Sequence, residues 1–154
     1  MPTPSLVPGT LYHVYNRGVN RETLFRTDTQ YRHFWKLLDH HVAPCADVLA
    51  FTLLPNHFHL LLVAHAEGPR STSQALSNAC NAYAKSVNLR SGRVGPLFCR
   101  PFQRKAISDP AYAAAAMSYV LHNAVHHGLV AHAAAWPWSS GLLRAEQVPY
   151  GVAF

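Results

Sequence analysis

VLAFTLLPNHFHLLLVA, residues 48–64, is the stretch that decides how this chain folds. Two apolar runs, Val48 to Leu54 and His57 to Ala64, flank Pro55-Asn56, a dipeptide suited to a tight reversal, so the segment reads as an antiparallel hairpin. Side chains alternate across a strand. His57 and His59 therefore share one sheet face, and Phe58 points to the other, where helices can cover it.

Working outward, Leu11 to Arg17 alternates aromatic, polar and β-branched residues and stops at Gly18, which predicts a strand and a turn. Thr27 or Asp28 caps a helix in which Tyr31, Phe34, Trp35 and Leu38 recur at helical spacing, ending before Pro44. A second helix is predicted from Ser73 to Asn88, with Leu76, Cys80, Tyr83 and Val87 on one face and Ser91-Gly92 closing it. Leu97 to Ile107 is extended and basic, and Pro101 assigns it to an edge strand or a bulge. Ser108-Asp109-Pro110 starts a third helix, predicted to run unbroken from Pro110 to His127 before Gly128. The order β-α-β-β-α-β-α is that of an α+β, ferredoxin-like (split βαβ) antiparallel sheet with helices on one face and an added C-terminal helix. One domain over 1–154 is expected, with 128–154 an irregular extension. That architecture serves many functions and selects none.

Composition narrows the field. The chain has 154 residues, and its charged fraction of 13% is about half the usual value, because acidic residues are scarce rather than basic ones abundant. From Gly68 through Ser108 it carries Arg70, Lys85, Arg90, Arg93, Arg100, Arg104 and Lys105 with no Asp or Glu. Such a segment faces either plain solvent or a polyanion. The three cysteines form no CxxC pair, which argues against a thiolate zinc site or a disulfide framework. No stretch is apolar and long enough to cross a bilayer, so a soluble, cytoplasmic protein without membrane partners is expected.

Two imidazoles side by side make half a metal site, and alone they bind weakly. The third predicted helix offers further ligands, since Tyr119, His122, Asn123 and His126 lie at i, i+3, i+4, i+7 on an Ala-rich background. An exposed polar helix face, or a half-buried Tyr119, accounts for that spacing slightly better than a site does.

Four segments together alter this balance. Tyr12-His13-Val14-Tyr15-Asn16-Arg17-Gly18, Leu54-Pro55-Asn56-His57-Phe58-His59, Tyr119-Val120-Leu121-His122-Asn123-Ala124-Val125 leading into Gly128-Leu129-Val130, and Trp136-Pro137-Trp138-Ser139-Ser140 resemble, in content and order, the REP-associated tyrosine transposases. These are relatives of the single-tyrosine HUH insertion-sequence transposases, named for a His-hydrophobic-His motif. The resemblance implies that His57 and His59 hold Mg²⁺ or Mn²⁺ with Asn123 as third ligand, His122 or His126 being the alternatives. It implies that Tyr119 is the nucleophile that cleaves and rejoins single-stranded DNA at hairpin-forming palindromes through a 5′-phosphotyrosine. Tyr112, seven residues earlier and near the same helix face, cannot be separated from Tyr119 by spacing. No nucleotide cofactor is needed, and the chain has no GxxxxGK loop.

For such DNA the sequence offers Arg17, Arg90, Arg93, Arg100, Arg104 and Lys105 as candidate phosphate contacts, and Trp136, Trp138 or Tyr15 as candidate stacking surfaces. For the two tryptophans, pinning the C-terminal segment to the core is the stronger expectation. The chain departs from the family at Ala124, where relatives commonly carry proline, and at His126-His127, where they carry basic residues. The insertion-sequence relatives form homodimers and the REP-associated ones act as monomers, so the resemblance leaves monomer and homodimer both open. Two rivals persist: a nucleic-acid-binding module on the same sheet, which lacks the aromatic pattern expected on its third strand, and a His-ligated zinc hydrolase, which lacks the Glu of an HExxH site.

Overall fold

The computed structural model describes residues 5–140. Strand β1 is Leu11–Arg17, helix α1 Asp28–Val42, β2 Ala46–Leu54, β3 His57–Ala64, α2 Thr72–Ser91, β4 Gln103–Ile107, α3 Pro110–Leu121 and the short α4 Asn123–His126. The four strands form one sheet in the order β2-β3-β1-β4, antiparallel throughout. This is the ferredoxin-like α+β architecture expected from the element order.

Local chemistry sets the helix starts. The Thr27 hydroxyl accepts from the Gln30 amide at 3.2 Å, Ser71 does the same for Gln74, and Asp109 accepts from Ala111 with Pro110 in the first turn. Helix α2 ends on Gly92, whose φ of +72° is a left-handed cap conformation that favours glycine.

Two apolar layers hold the sheet. On one face Val14, Phe51, Leu53, Phe58, Leu60 and Leu62 pack against Phe34 and Leu38 of α1 and Leu76 and Tyr83 of α2. Tyr83 is fully buried, and its hydroxyl donates to the Leu24 carbonyl at 2.6 Å. On the other face a smaller cluster of Ala50, Leu61, Ile107, Ala116 and Val120 seats α3. The side-chain alternation that points Phe58 into the larger core thus turns His57 and His59 toward α3 and α4.

The described part of the C-terminal extension is bound to the edge of β2. The Trp136 indole donates to Leu53 O at 2.8 Å, the Leu53 amide donates to Trp138 O at 2.8 Å, and Trp138 stacks on Tyr31 with centroids 5.1 Å apart. Both rings are occupied as anchors. Residues 141–154 of the expected extension lie outside the described part.

Two expectations need correction. The third helix is not continuous to His127: it breaks at His122, with φ −99° and ψ 6°, where the imidazole Nδ1 bonds back to the Ser118 carbonyl at 2.8 Å. The fourth strand covers Gln103–Ile107 and not all of 97–107. Pro101 has no amide hydrogen to extend the ladder, and Leu97 and Phe98 enter the core instead. The strand itself is at the sheet edge, as the proline indicated.

Candidate active site

Antiparallel register assembles the site. Arg17 of β1 lies opposite His57, Tyr15 opposite His59 and His13 opposite Leu61, so His13, Tyr15, Arg17, His57 and His59 share one face. On the other side of β1, Tyr15 pairs with Gln103 and His13 with Lys105. Helices α3 and α4 lie over this face. The Tyr119 ring centroid is 5.5 Å from that of His59 and 6.1 Å from that of His13, while His127 packs edge-on against His57 at 4.7 Å.

Burial separates these groups sharply. His59 is 6% exposed and Asn123 is fully buried, whereas Tyr119 is 45% exposed. A phenol half open to solvent beside buried ligand-type groups can meet a substrate that the ligands themselves do not touch. The break at His122 also dissolves the polar stripe expected on a continuous helix: His122 and His126 are exposed, and only Asn123 turns inward.

Hydrogen bonds orient the rings. His57 Nδ1 is 2.8 Å from Asn56 Oδ1. An amide oxygen only accepts, so the proton sits on Nδ1 and Nε2 keeps its lone pair. That Nε2 lies 3.3 Å from Asn123 Oδ1. From there the lone pair can accept from the Asn123 amide or face a cation beside its oxygen. Across the same site, His59 Nδ1 is 2.9 Å from His13 Nε2. Asn123 Nδ2 is buried without a partner among the described residues.

Electrostatics keep the imidazoles neutral. Burial, reinforced by His13, His57 and His127, pushes the His59 pKa down to about 3. Burial and the facing Lys105 bring His13 down to about 4. His57 is also lowered by burial, with His127 adding to the effect and the Asn123 contact opposing it. Neutral imidazole is the metal-binding form. Two such rings with their Nδ1 edges engaged, beside an amide oxygen that lacks a donor, fit a divalent cation. Among the described residues, no group of three His, Cys, Asp or Glu side chains is placed to hold a metal ion.

Cavities flank the histidines. One of about 380 Å³ is lined by Tyr15, Asn16, Arg17, His57, His59, Cys99 and Gln103. Another, of about 550 Å³, is walled by His13, His59, Lys105, Tyr112 and Tyr119 with small Ala115 and Ala116 between. Of the basic residues singled out from sequence, Arg17 and Lys105 reach these cavities. Lys105 is held over the Tyr112 ring, with Nζ 4.8 Å from its centroid.

The other basic residues are elsewhere. Arg90 is exposed on α2, in a groove shared with Arg32 and Lys36 of α1. Arg100 and Arg104 line a third groove against α2, where Arg104 stacks on Phe102 at 3.9 Å and donates to Ser73 Oγ at 3.1 Å. Arg93 is committed to the protein, pairing with the Glu22 carboxylate and donating to the carbonyls of Gly95 at 3.0 Å and Pro96 at 2.7 Å.

Sequence reasoning did not assign roles to His13, Asn56 or His127. Alternation along β1 puts His13 and Tyr15 on one face, which is a usable signal. Only the register of β1 against β3 says that this face is the one with His57 and His59. For Asn56 the sequence signals a turn and a motif position, and no contact with His57.

No protein-family model matches the chain, and no curated protein matches it in sequence. Among solved structures, the chain is similar to that of a REP-associated tyrosine transposase bound to a REP hairpin. The TM-score is 0.73 at 18% identity, over 100% of this chain and 92% of that one. The two share a fold. Among the described residues, no helix is long and apolar enough to cross a membrane.

Proposed function

We propose that this chain is a REP-associated tyrosine transposase, a metal-dependent enzyme that cleaves and rejoins single-stranded DNA at hairpin-forming sequences. The observation that carries this reading is the juxtaposition of an exposed Tyr119 with His59 at 5.5 Å and of buried Asn123 with His57 at 3.3 Å. The four sequence motifs and the fold shared with a hairpin-bound transposase support the same conclusion.

His57, His59 and Asn123 are the residues that would hold Mg²⁺ or Mn²⁺. The cation, when bound, supplies Lewis acidity to the scissile phosphate. The Tyr119 hydroxyl attacks phosphorus, forming the Tyr–O–P bond while the bond to the 3′-side oxygen breaks. The phenolic proton is delivered to that leaving oxygen, leaving a free 3′-OH and a 5′-phosphotyrosine. One phosphodiester replaces another, so the reverse attack by a DNA 3′-OH rejoins strands without a nucleotide cofactor. Arg17 and Lys105, which line the two cavities, would neutralise phosphates on either side of the reacting one. Arg90, Arg100 and Arg104 would follow the duplex or its flank, and Arg93 serves through the loop it braces.

The test is a gel assay on labelled single-stranded hairpins taken from DNA flanking the gene, with Mg²⁺ or Mn²⁺. The proposal expects cleavage by the native chain and none by Tyr119→Phe, which lacks only a hydroxyl. Equal cleavage by both would overturn it.

A further inference from the structure

His13 and His59 meet edge to edge in the interior of the site, with His13 Nε2 2.9 Å from His59 Nδ1. Their rings are nearly parallel, at 28° with centroids 5.1 Å apart. His59 is buried, and His13 is held between it and Lys105, its partner across β1 and β4. A neutral imidazole has one N–H and one lone pair. A hydrogen bond between two such rings therefore contains one proton, which belongs either to His59 Nδ1 or to His13 Nε2.

The two arrangements are chemically opposite for His59. If His13 Nε2 donates, then His59 carries its own proton on Nε2, and neither nitrogen has a lone pair to offer a ligand. If His59 Nδ1 donates, its Nε2 is left as a lone pair. The neighbouring ring shows which arrangement suits the site, because His57 is already held by Asn56 Oδ1 with its proton on Nδ1 and its Nε2 lone pair inward.

We infer that His13 is a positioning residue that accepts the Nδ1 proton of His59, fixing the tautomer whose Nε2 can bind a cation. In this role His13 does for His59 what Asn56 does for His57. Ligand imidazoles are commonly oriented by such a partner on the far nitrogen, and its loss typically weakens metal affinity 10- to 100-fold. A carboxylate there would be a stronger acceptor but would add charge to a buried site. A second imidazole accepts without charge. The role in metal binding rests on the metal-dependent reading above, but the tautomer assignment does not.

The test uses the full-length protein and two readouts. In metal-free protein, long-range ¹⁵N–¹H correlation spectra of the histidine rings should show His59 protonated on Nδ1 and His13 on its own Nδ1. His13→Ala should release His59 from that tautomer, and His13→Gln, whose amide oxygen can only accept, should restore it. Mn²⁺ titration followed by electron paramagnetic resonance should give an affinity lowered about 10- to 100-fold in His13→Ala and largely recovered in His13→Gln. Circular dichroism checks that each variant is folded. A proton found on His59 Nε2 in the native protein would overturn the inference. So would Mn²⁺ affinity within twofold of native in a folded His13→Ala whose His57→Ala counterpart has lost the ion. Failure of the native protein to take up Mn²⁺ would count against the metal reading alone, and the tautomer spectra would still decide the assignment of His13.

Discussion

Replacing Asn123 by Leu should stabilise the protein while removing its activity. Asn123 is fully buried, and its Nδ2 has no partner among the described residues. A buried polar group left without a hydrogen bond costs about 1–3 kcal/mol. Its Oδ1 faces the Nε2 of His57 at 3.3 Å, a contact worth at most about 1 kcal/mol when a proton lies between them. Leucine branches at the same carbon and carries no unsatisfied atoms. The balance is a gain of about 1 kcal/mol, or roughly 2–4 °C in Tm for a domain of this size. Melting should be followed in excess chelator, because a bound ion stabilises the native protein alone and would mask the gain. Hairpin cleavage with Mg²⁺ is measured in parallel and should be lost. A Tm lowered by several degrees would show that the amide is satisfied in the native site. Undiminished cleavage would show that Asn123 is not a ligand.

Three further outcomes follow from the same geometry. Cleavage should require a divalent ion, and His57→Ala or His59→Ala should abolish it while circular dichroism stays native, since the larger core lies on the opposite sheet face; full cleavage in excess chelator would contradict this. The logarithm of hairpin affinity should fall linearly with that of salt concentration, each displaced phosphate counterion contributing a slope of roughly −0.7 to −0.9; Lys105→Ala should make the slope shallower by about one such step and Arg93→Ala should not, because Arg93 is bound to Glu22. Stability should be lost on acidification: the folded-state pKa of His59 is about 3 against an ordinary 6.5, so the unfolded chain takes up the proton first, the native advantage is complete above about pH 6.5, and it declines down to about pH 3. At about 1.4 kcal/mol per unit, the whole decline amounts to roughly 5 kcal/mol, of which roughly 3–4 kcal/mol is measurable by urea denaturation in chelator between pH 7 and 4; a flat profile would show the ring to be solvated.

The features legible in the sequence are those set by local chemistry. Period-two alternation put His57 and His59 on one face and Phe58 on the other, and Thr27 and Asp109-Pro110 mark helix starts because capping depends only on the next three residues. What crosses between elements was hidden. His13 reaches His59 only through the pairing of β1 with β3, which no spacing within either strand reveals. No proline or glycine marks the break at His122 before Gly128, so the stop signals carry the helix straight through it, and the burial of Asn123 apart from His122 and His126 is not legible. The basic run from Arg70 to Lys105 also looked like one surface. Alternation along β4 sends Arg104 and Lys105 to opposite sheet faces, and Arg93 is drawn inward by Glu22, whose pairing with it spans 71 residues.

The central claim is that Tyr119 forms the covalent bond to DNA, and mass spectrometry of protein trapped on a labelled single-stranded hairpin measures this directly. Tyr112 is the internal control, since it is exposed on α3 and lines the same cavity. Peptides carrying a phosphotyrosyl nucleotide should map to Tyr119 in the native chain, and the adduct should vanish in Tyr119→Phe. An adduct mapped to Tyr112 or to any other residue, or cleavage that proceeds with no adduct at all, would contradict the account.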